Sequence, residues 1–305
     1  MSHTPPFKAW SDQDVLAWRK EQKVQRSYQD DVVSKINELK SRFTITQYGA
    51  LAYEKKYPLY LIQNKKLDPS KPNILITGGV HGYETSGPHG ALEFMATQAS
   101  KYESDFNFIC APCISPWGYE TINRWNPDAI DPNRNFFKQS PAQECALLYK
   151  AVHDLGLKFS AHFDLHETTD TDESVFRPAL ASRDGKDIDE GGIPDGFYLV
   201  TDTGRIEKEF QEAMIQEVEK VTHIAPADEH GKIIGKEIIS KGLIAYDVKK
   251  LNLCTGLTDA KFTTTTEVYP DSPKTNPEEC KQAQVNALKG GLHYLSANLP
   301  LYHKN

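Results

Sequence analysis

The sequence predicts a single α/β domain: a mixed, mostly parallel twisted sheet with helices on both faces. Three observations lead there. Short apolar, strand-like runs alternate with helix-period segments across most of the 305 residues. The run Asn73–Val80 (NILITGGV) is apolar and closes on two glycines, as a buried strand entering a turn does. No internal repeat, low-complexity tract or linker rich in Pro, Gly or Ser divides the chain.

The elements follow in order. Ser11–Arg42 is polar, with Val15, Trp18, Val24, Val32, Ile36 and Leu39 at loose helical intervals, so residues 1–42 read as a helical extension to a domain spanning 1–305. Phe43–Tyr48 and Leu59–Ile62 are β-like, and the strand Asn73–Val80 is followed by a helix over Gly87–Ser100. A strand at Asn107–Ile114 precedes a loop at Ser115–Asn135, then a helix from Pro141 to Leu155 and a strand at Phe159–Leu165. Phe197–Thr201 is a strand. Arg205–Thr222 carries Ile206, Phe210, Met214, Val218 and Val221 at intervals of three and four, an amphipathic helix. Leu243–Val248 and Phe262–Val268 are strands, and a last helix, Glu278–Leu299, buries Ala287, Leu288, Leu292 and Leu295.

Composition narrows the class of function. A formal net charge of -7 without a polybasic run argues against nucleic acid or an anionic membrane as the partner. The N-terminal MSHTPPFKAW has no charged-then-apolar pattern, and no apolar stretch reaches membrane-spanning length. Five scattered cysteines include one C-x-x-C, Cys110 and Cys113, with no second pair to answer it, so buried reduced thiols and a cytoplasmic setting are expected. Oligomeric state is not legible.

In an open α/β sheet, functional groups gather beyond the carboxyl ends of the strands. His81 and Glu84 stand there, in GGVHGYE after NILIT, and an imidazole with a carboxylate three residues on suits a zinc ion. Alone, H-x-x-E is a weak signal; such pairs also cap helices or face water. SAHFDLHETTDTD (Ser160–Asp172) supplies a third ligand, because on a strand His162, Asp164 and His166 share one face. His166 lies at the strand's carboxyl end; His162 lies deeper, where a hydrogen-bonded core histidine is the plainer reading, and Asp164 is placed to orient a ligand histidine. Asn123–Phe137 (NRWNPDAIDPNRNFF) concentrates arginine and asparagine, suited to a carboxylate and an oxyanion, or equally to a polar loop held by asparagine turns.

Taken together, H-G-Y-E, R-x-N followed by D-x-N-R-N-F, D-L-H and T-x-E resemble the M14 metallocarboxypeptidase family, whose superfamily includes succinylglutamate desuccinylase and aspartoacylase. The resemblance runs from His81 to Glu267 in the family's order. It implies one Zn²⁺ per chain on His81, Glu84 and His166, with Glu267 as general base and Arg124 stabilising the oxyanion. It further implies that Asn133 and Arg134 hold the substrate's terminal carboxylate, that Tyr246 covers bound substrate, and that Asn252 lies near the residue deciding specificity. Two positions depart from the family. Pro132 replaces a common Leu, and Tyr83 stands where many digestive members carry a substrate-binding arginine. The acidic run after His166 resembles the DLHNT stretch of the acylase branch. The expected activity is therefore hydrolysis of the C-terminal amide of small peptides, with deacylation of N-acyl amino acids as the alternative. A zinc-binding protein without turnover is a third possibility.

Overall fold

The computed structural model describes residues 9–186 and 192–302. The first residues of the N-terminal stretch, read above for a leader pattern, lie outside them. The described residues form ten strands: β1 (Phe43–Ala52), β2 (Lys56–Asn64), β3 (Asn73–Gly78), β4 (Asn107–Ala111), β5 (Phe159–Glu167), β6 (Tyr198–Asp202), a small hairpin of β7 (Lys232–Ile233) and β8 (Lys236–Glu237), β9 (Leu243–Tyr246) and β10 (Phe262–Val268). Among the described residues eight α-helices accompany them: α1 (Asp12–Glu21), α2 (Ser34–Glu38), α3 (Ser86–Thr97), α4 (Pro116–Thr121), α5 (Gln143–Asp154), α6 (Arg177–Asp184), α7 (Lys208–Val218) and α8 (Pro277–Tyr302). The main sheet has the order β1-β2-β4-β3-β5-β10-β6-β9. Its centre, β4-β3-β5-β10, is parallel throughout, so the carboxyl ends of those four strands meet at one edge. The sheet is the mixed, mostly parallel one expected.

Alternation along the strands sorts the core into two layers. Ile74, Ile76, Phe108 and Phe163 turn to one face and pack with α2, α3, α7 and α8. Leu75 and Ile109 turn to the other, against Leu148 and Val152 of α5. His162, Asp164 and His166 take the α5 side, because Ala161, Phe163 and Leu165 occupy the opposite one.

Several boundaries differ from the sequence reading, each for a local reason. β4 stops at Ala111 because Pro112 has no N–H, and the chain instead donates from Ile114 N to Gly78 O and from Ser115 N to Gly79 O. α7 begins only at Lys208, since Glu207 has a φ of 43°, and the periodic Ile206 is left outside the helix, 36% exposed. α4 forms inside the expected loop, started by Pro116 at its first turn. The β7–β8 hairpin and α6 carry no strong apolar period and were not foreseen; α6 buries no residue at all.

One buried side chain ties three elements behind the site. Gln284 of α8 accepts from Thr266 Oγ1 and donates from Nε2 to His166 O at 2.8 Å and Ser86 Oγ at 3.1 Å. Gln284→Leu strands these buried partners, so a loss of roughly 1–3 kcal/mol is expected. Chemical denaturation measures it, and an unchanged midpoint would show that the network carries no net stability.

Candidate active site

The ligand loop is shaped by backbone crowding. Gly79 adopts a φ of 61° on leaving β3. At Gly82 a Cβ would lie 1.9 Å from the Gly118 carbonyl carbon, so only glycine fits between His81 and Tyr83. Ser115 Oγ holds Val80 O at 2.6 Å, and Arg26 Nη1 holds Tyr83 O at 2.9 Å. The N-terminal extension thus braces the loop directly. α3 starts just beyond Glu84, and Glu167 Oε1 accepts from Ser86 N at 2.6 Å, serving where Thr85 gives no side-chain cap. Burial, partly offset by these Ser86 hydrogen bonds, pushes the Glu167 carboxyl up to about 7.

His81, Glu84 and His166 converge in the interior. Each offers a ligand atom within 4.8 Å of the others, and all three are buried. His81 Nδ1 lies 2.6 Å from Glu84 Oε1, and His166 Nδ1 lies 3.0 Å from Glu84 Oε2. That oxygen has no partner in hydrogen-bond geometry. Both imidazoles donate away from this centre through Nε2: His81 to Asp131 Oδ1 at 3.1 Å, and His166 to Asp164 Oδ2 at 2.7 Å. Carboxylates behind both rings are placed to hold the Nε2 protons, so that each Nδ1 would be free to give its lone pair to a metal ion bound beside Glu84. Burial opposes charge on Glu84, but His166 and His81 overcome it and bring the carboxyl down to about 2. Burial likewise opposes charge on His166, and Glu84 and Asp164 outweigh it to raise that imidazole. Two inward nitrogens, an inward carboxylate with an unsatisfied oxygen and an excess of negative charge fit a zinc ion, and a His₂Glu set leaves a position open for catalysis.

His162 stands apart. Its Nε2 lies 3.0 Å from Thr77 Oγ1, it is fully buried, and burial brings its imidazole down to about 4. It is a hydrogen-bonded core histidine outside the three-residue group. Cys110 and Cys113 are buried free thiols.

A cavity of about 670 Å³ opens beside this centre and is lined by His81, Arg124, Asn133, Arg134, Tyr246 and Glu267. Glu267 sits on β10 in parallel register with His166, so both side chains point to the same face. Thr168 Oγ1 donates to Glu267 Oε2 at 2.9 Å. Burial raises the Glu267 carboxyl, His166 opposes and Glu84 adds, leaving it at about 7. Asn133 Oδ1 accepts from Cys254 N at 2.9 Å, while Arg134 Nη1 donates to Asn133 O at 2.6 Å. Asn252 does not line the cavity. It takes a φ of 52° and gives its carbonyl to Phe136 N; its neighbour Leu253 is the lining residue.

Two carboxylates were missed as site residues. Asp131 binds His81 and also accepts from Arg124 Nε at 3.1 Å, and Asp172 accepts from Arg124 Nη1 at 2.9 Å. The Asp131-Pro132-Asn133-Arg134 spacing carried a signal for the first. Asp172 lay in the acidic run after His166, whose charge alone does not say which member turns inward.

Residues 32–154 match the family model of the zinc carboxypeptidases, peptidase family M14. The matched segment holds His81, Glu84, Arg124, Asn133 and Arg134; His166 and Glu267 lie beyond it. No curated protein sequence matches the chain. Among solved structures, the fold is similar to a candidate metallopeptidase of Shewanella amazonensis SB2B, with TM-score 0.66 and 18% identity over 90% of this chain and 99% of that one. It is also similar to carboxypeptidase A of Helicoverpa armigera (TM-score 0.58, 13% identity, 94% and 79% covered). A metallo-carboxypeptidase of Pseudomonas aeruginosa, in complex with (2-guanidinoethylmercapto)succinic acid, gives TM-score 0.58 at 13% identity over 88% and 68%. At these identities the likeness establishes a zinc carboxypeptidase fold. No helix of the described residues is long and apolar enough to cross a membrane.

Proposed function

We propose that the chain is a zinc metallocarboxypeptidase that hydrolyses the C-terminal amide bond of small peptides bearing a free carboxylate. The observation that carries this reading is one cavity wall-to-wall with His81, Glu267, Arg124 and the Asn133–Arg134 pair, beside a buried His₂Glu centre. His81, Glu84 and His166 would hold one zinc ion, which polarises a carbonyl and makes water more acidic. Glu267 takes a proton from the attacking water and passes it to the leaving amine. Arg124 stabilises the charge developing on the carbonyl oxygen. Arg134 and Asn133 hold the terminal carboxylate, fixing the scissile amide against the centre, and Tyr246 covers the bound substrate. The diacid seen in the Pseudomonas aeruginosa enzyme supports a ligand with free carboxylates. Five buried, unpaired cysteines support a reducing, cytoplasmic setting.

One observation favours a second reading. Tyr83, where digestive members carry an arginine, commits its hydroxyl to Asp172 at 2.7 Å and so offers no cation to a peptide backbone. An N-acyl amino acid deacylase needs none there, and keeps the same carboxylate anchor. C-terminally free peptides assayed beside N-acyl amino acids, read by amine release, decide between them. Faster release from the peptides is expected; release from the acyl amino acids alone would transfer the assignment to a deacylase. No release from either, with zinc still bound, would leave a metal-holding protein without turnover.

The ligand set has its own test. His166→Ala is expected to lose most of its zinc, measured by elemental analysis after gel filtration, whereas His162→Ala retains it. The reverse pattern would exchange the two histidines.

A further inference from the structure

We infer that Asp172 is the positioning residue for Arg124, an inference that rests on reading Arg124 as the oxyanion donor. A guanidinium on a flexible stem is a poor preorganised donor unless something fixes its plane. Here two carboxylates do so from different elements. Asp131 Oδ2 takes Nε at 3.1 Å, and Asp172 Oδ1 takes Nη1 at 2.9 Å. Nη2 has no hydrogen-bond partner among the described residues, and Arg124 lines the cavity. The clamp therefore uses two of the three nitrogens and leaves the third for the substrate.

Asp172 is itself held from several sides. Tyr83 Oη donates to it, at 2.7 Å from Oδ1 and 2.9 Å from Oδ2, and Thr169 N donates to Oδ2 at 2.8 Å. It opens the turn Asp172–Phe176 that runs into α6. That helix is latched from outside: Trp10 Nε1 donates to Ser182 Oγ at 3.0 Å, and Arg183 Nη1 donates to Ala129 O at 2.8 Å while lying over the Trp125 ring. The side chains of Arg124 and Asp172 are 21% and 11% exposed, so water competes little for the pair. Asp131 already anchors His81, and its link to Arg124 fixes only one end of the guanidinium. Without Asp172 the plane is free to swing about Nε, and a misplacement of about 1 Å can lower a rate by about 10²-fold.

A double-mutant cycle tests this on the full-length zinc enzyme, with the best substrate of the panel above. Arg124→Ala should lower kcat by about 10²–10³-fold. Asp172→Ala should lower kcat by roughly 10–100-fold with little change in KM, yet change kcat less than about twofold in the Arg124→Ala background. Asp172→Asn, which keeps an oxygen for the Thr169 N–H but offers its amide nitrogen to Arg124, guards against a folding failure and should show the same coupling. A purely structural Asp172 would give additive losses, or a fall in zinc content, and either overturns the clamp. Undiminished kcat in Arg124→Ala overturns the oxyanion reading itself; a costly Arg124→Ala beside a silent Asp172 variant overturns the clamp alone. Independently of turnover, ¹⁵N-arginine spectra should show restricted Arg124 Nη protons, assigned by their loss in Arg124→Lys, that average by rotation in Asp172→Asn. Unchanged signals in that variant would also overturn the clamp.

Discussion

Glu267→Gln is expected to fold, retain zinc and bind substrate, while kcat falls by at least about 10²-fold, within the roughly 10²–10⁴-fold attributed to a positioned general base. Three features of the position support this. Parallel register with His166 sets the carboxylate on the face that carries the candidate metal-ligand group, one strand away from it. Its Oε2 is already fixed by Thr168 Oγ1 at 2.9 Å, a contact that glutamine's carbonyl oxygen can keep. The surroundings leave its carboxyl at about 7, burial raising it most, so it is far more basic than an ordinary carboxylate and suited to proton transfer near neutrality. Glutamine preserves shape and hydrogen-bonding reach but cannot accept the proton. Steady-state kinetics beside zinc analysis reads the outcome: turnover close to wild type would put the base elsewhere, and loss of zinc would make Glu267 a ligand.

What the sequence revealed and what it hid follow from the range of the interactions. Strand periodicity and the two glycines after NILIT are local signals, and β3, β5 and β10 stand where those signals put them. The shared face of His162, Asp164 and His166 was likewise legible, since it follows from the period of two. Which of these residues faces the centre is a question of depth along the strand. The structure answers it by giving His162 Nε2 to Thr77 and His166 Nδ1 to Glu84. Asp172 and α6 were illegible for a different reason. Their positions depend on Tyr83, Arg124 and Trp10, residues 48 to 172 positions distant in sequence, and α6 itself has no buried stripe to announce it. The N-terminal extension was read as helical but not as functional. Its Trp10 and Trp18 join Trp117 and Trp125 in one aromatic cluster, so all four tryptophans of the chain brace the segment beside the cavity.

Amidating the C-terminus of a good peptide substrate should lower kcat/KM by roughly 10²–10⁴-fold. Asn133 and Arg134 both have donors left to give. Asn133 has its Oδ1 occupied by Cys254 N, which turns its Nδ2, a donor only, to other partners. Among the described residues Arg134 makes one hydrogen bond, to the Asn133 carbonyl, and no carboxylate pairs with it. Both line the cavity and both present donors, so the group that satisfies them is an acceptor with negative charge. A terminal carboxylate supplies two such oxygens, whereas a carboxamide replaces one with a further donor and carries no charge. The amide loses one hydrogen bond to a charged group, about 1.5–3 kcal/mol, and sets its own N–H₂ against a donor left unsatisfied, about 1–3 kcal/mol more, which together amount to the stated range, with solvent exposure of Arg134 favouring its lower end. Arg134→Ala should act on the same term: it slows the free acid and brings the acid-to-amide rate ratio towards one. Equal rates for acid and amide in the wild-type enzyme would remove the carboxypeptidase assignment, and a ratio left intact by Arg134→Ala would assign the carboxylate to a different residue.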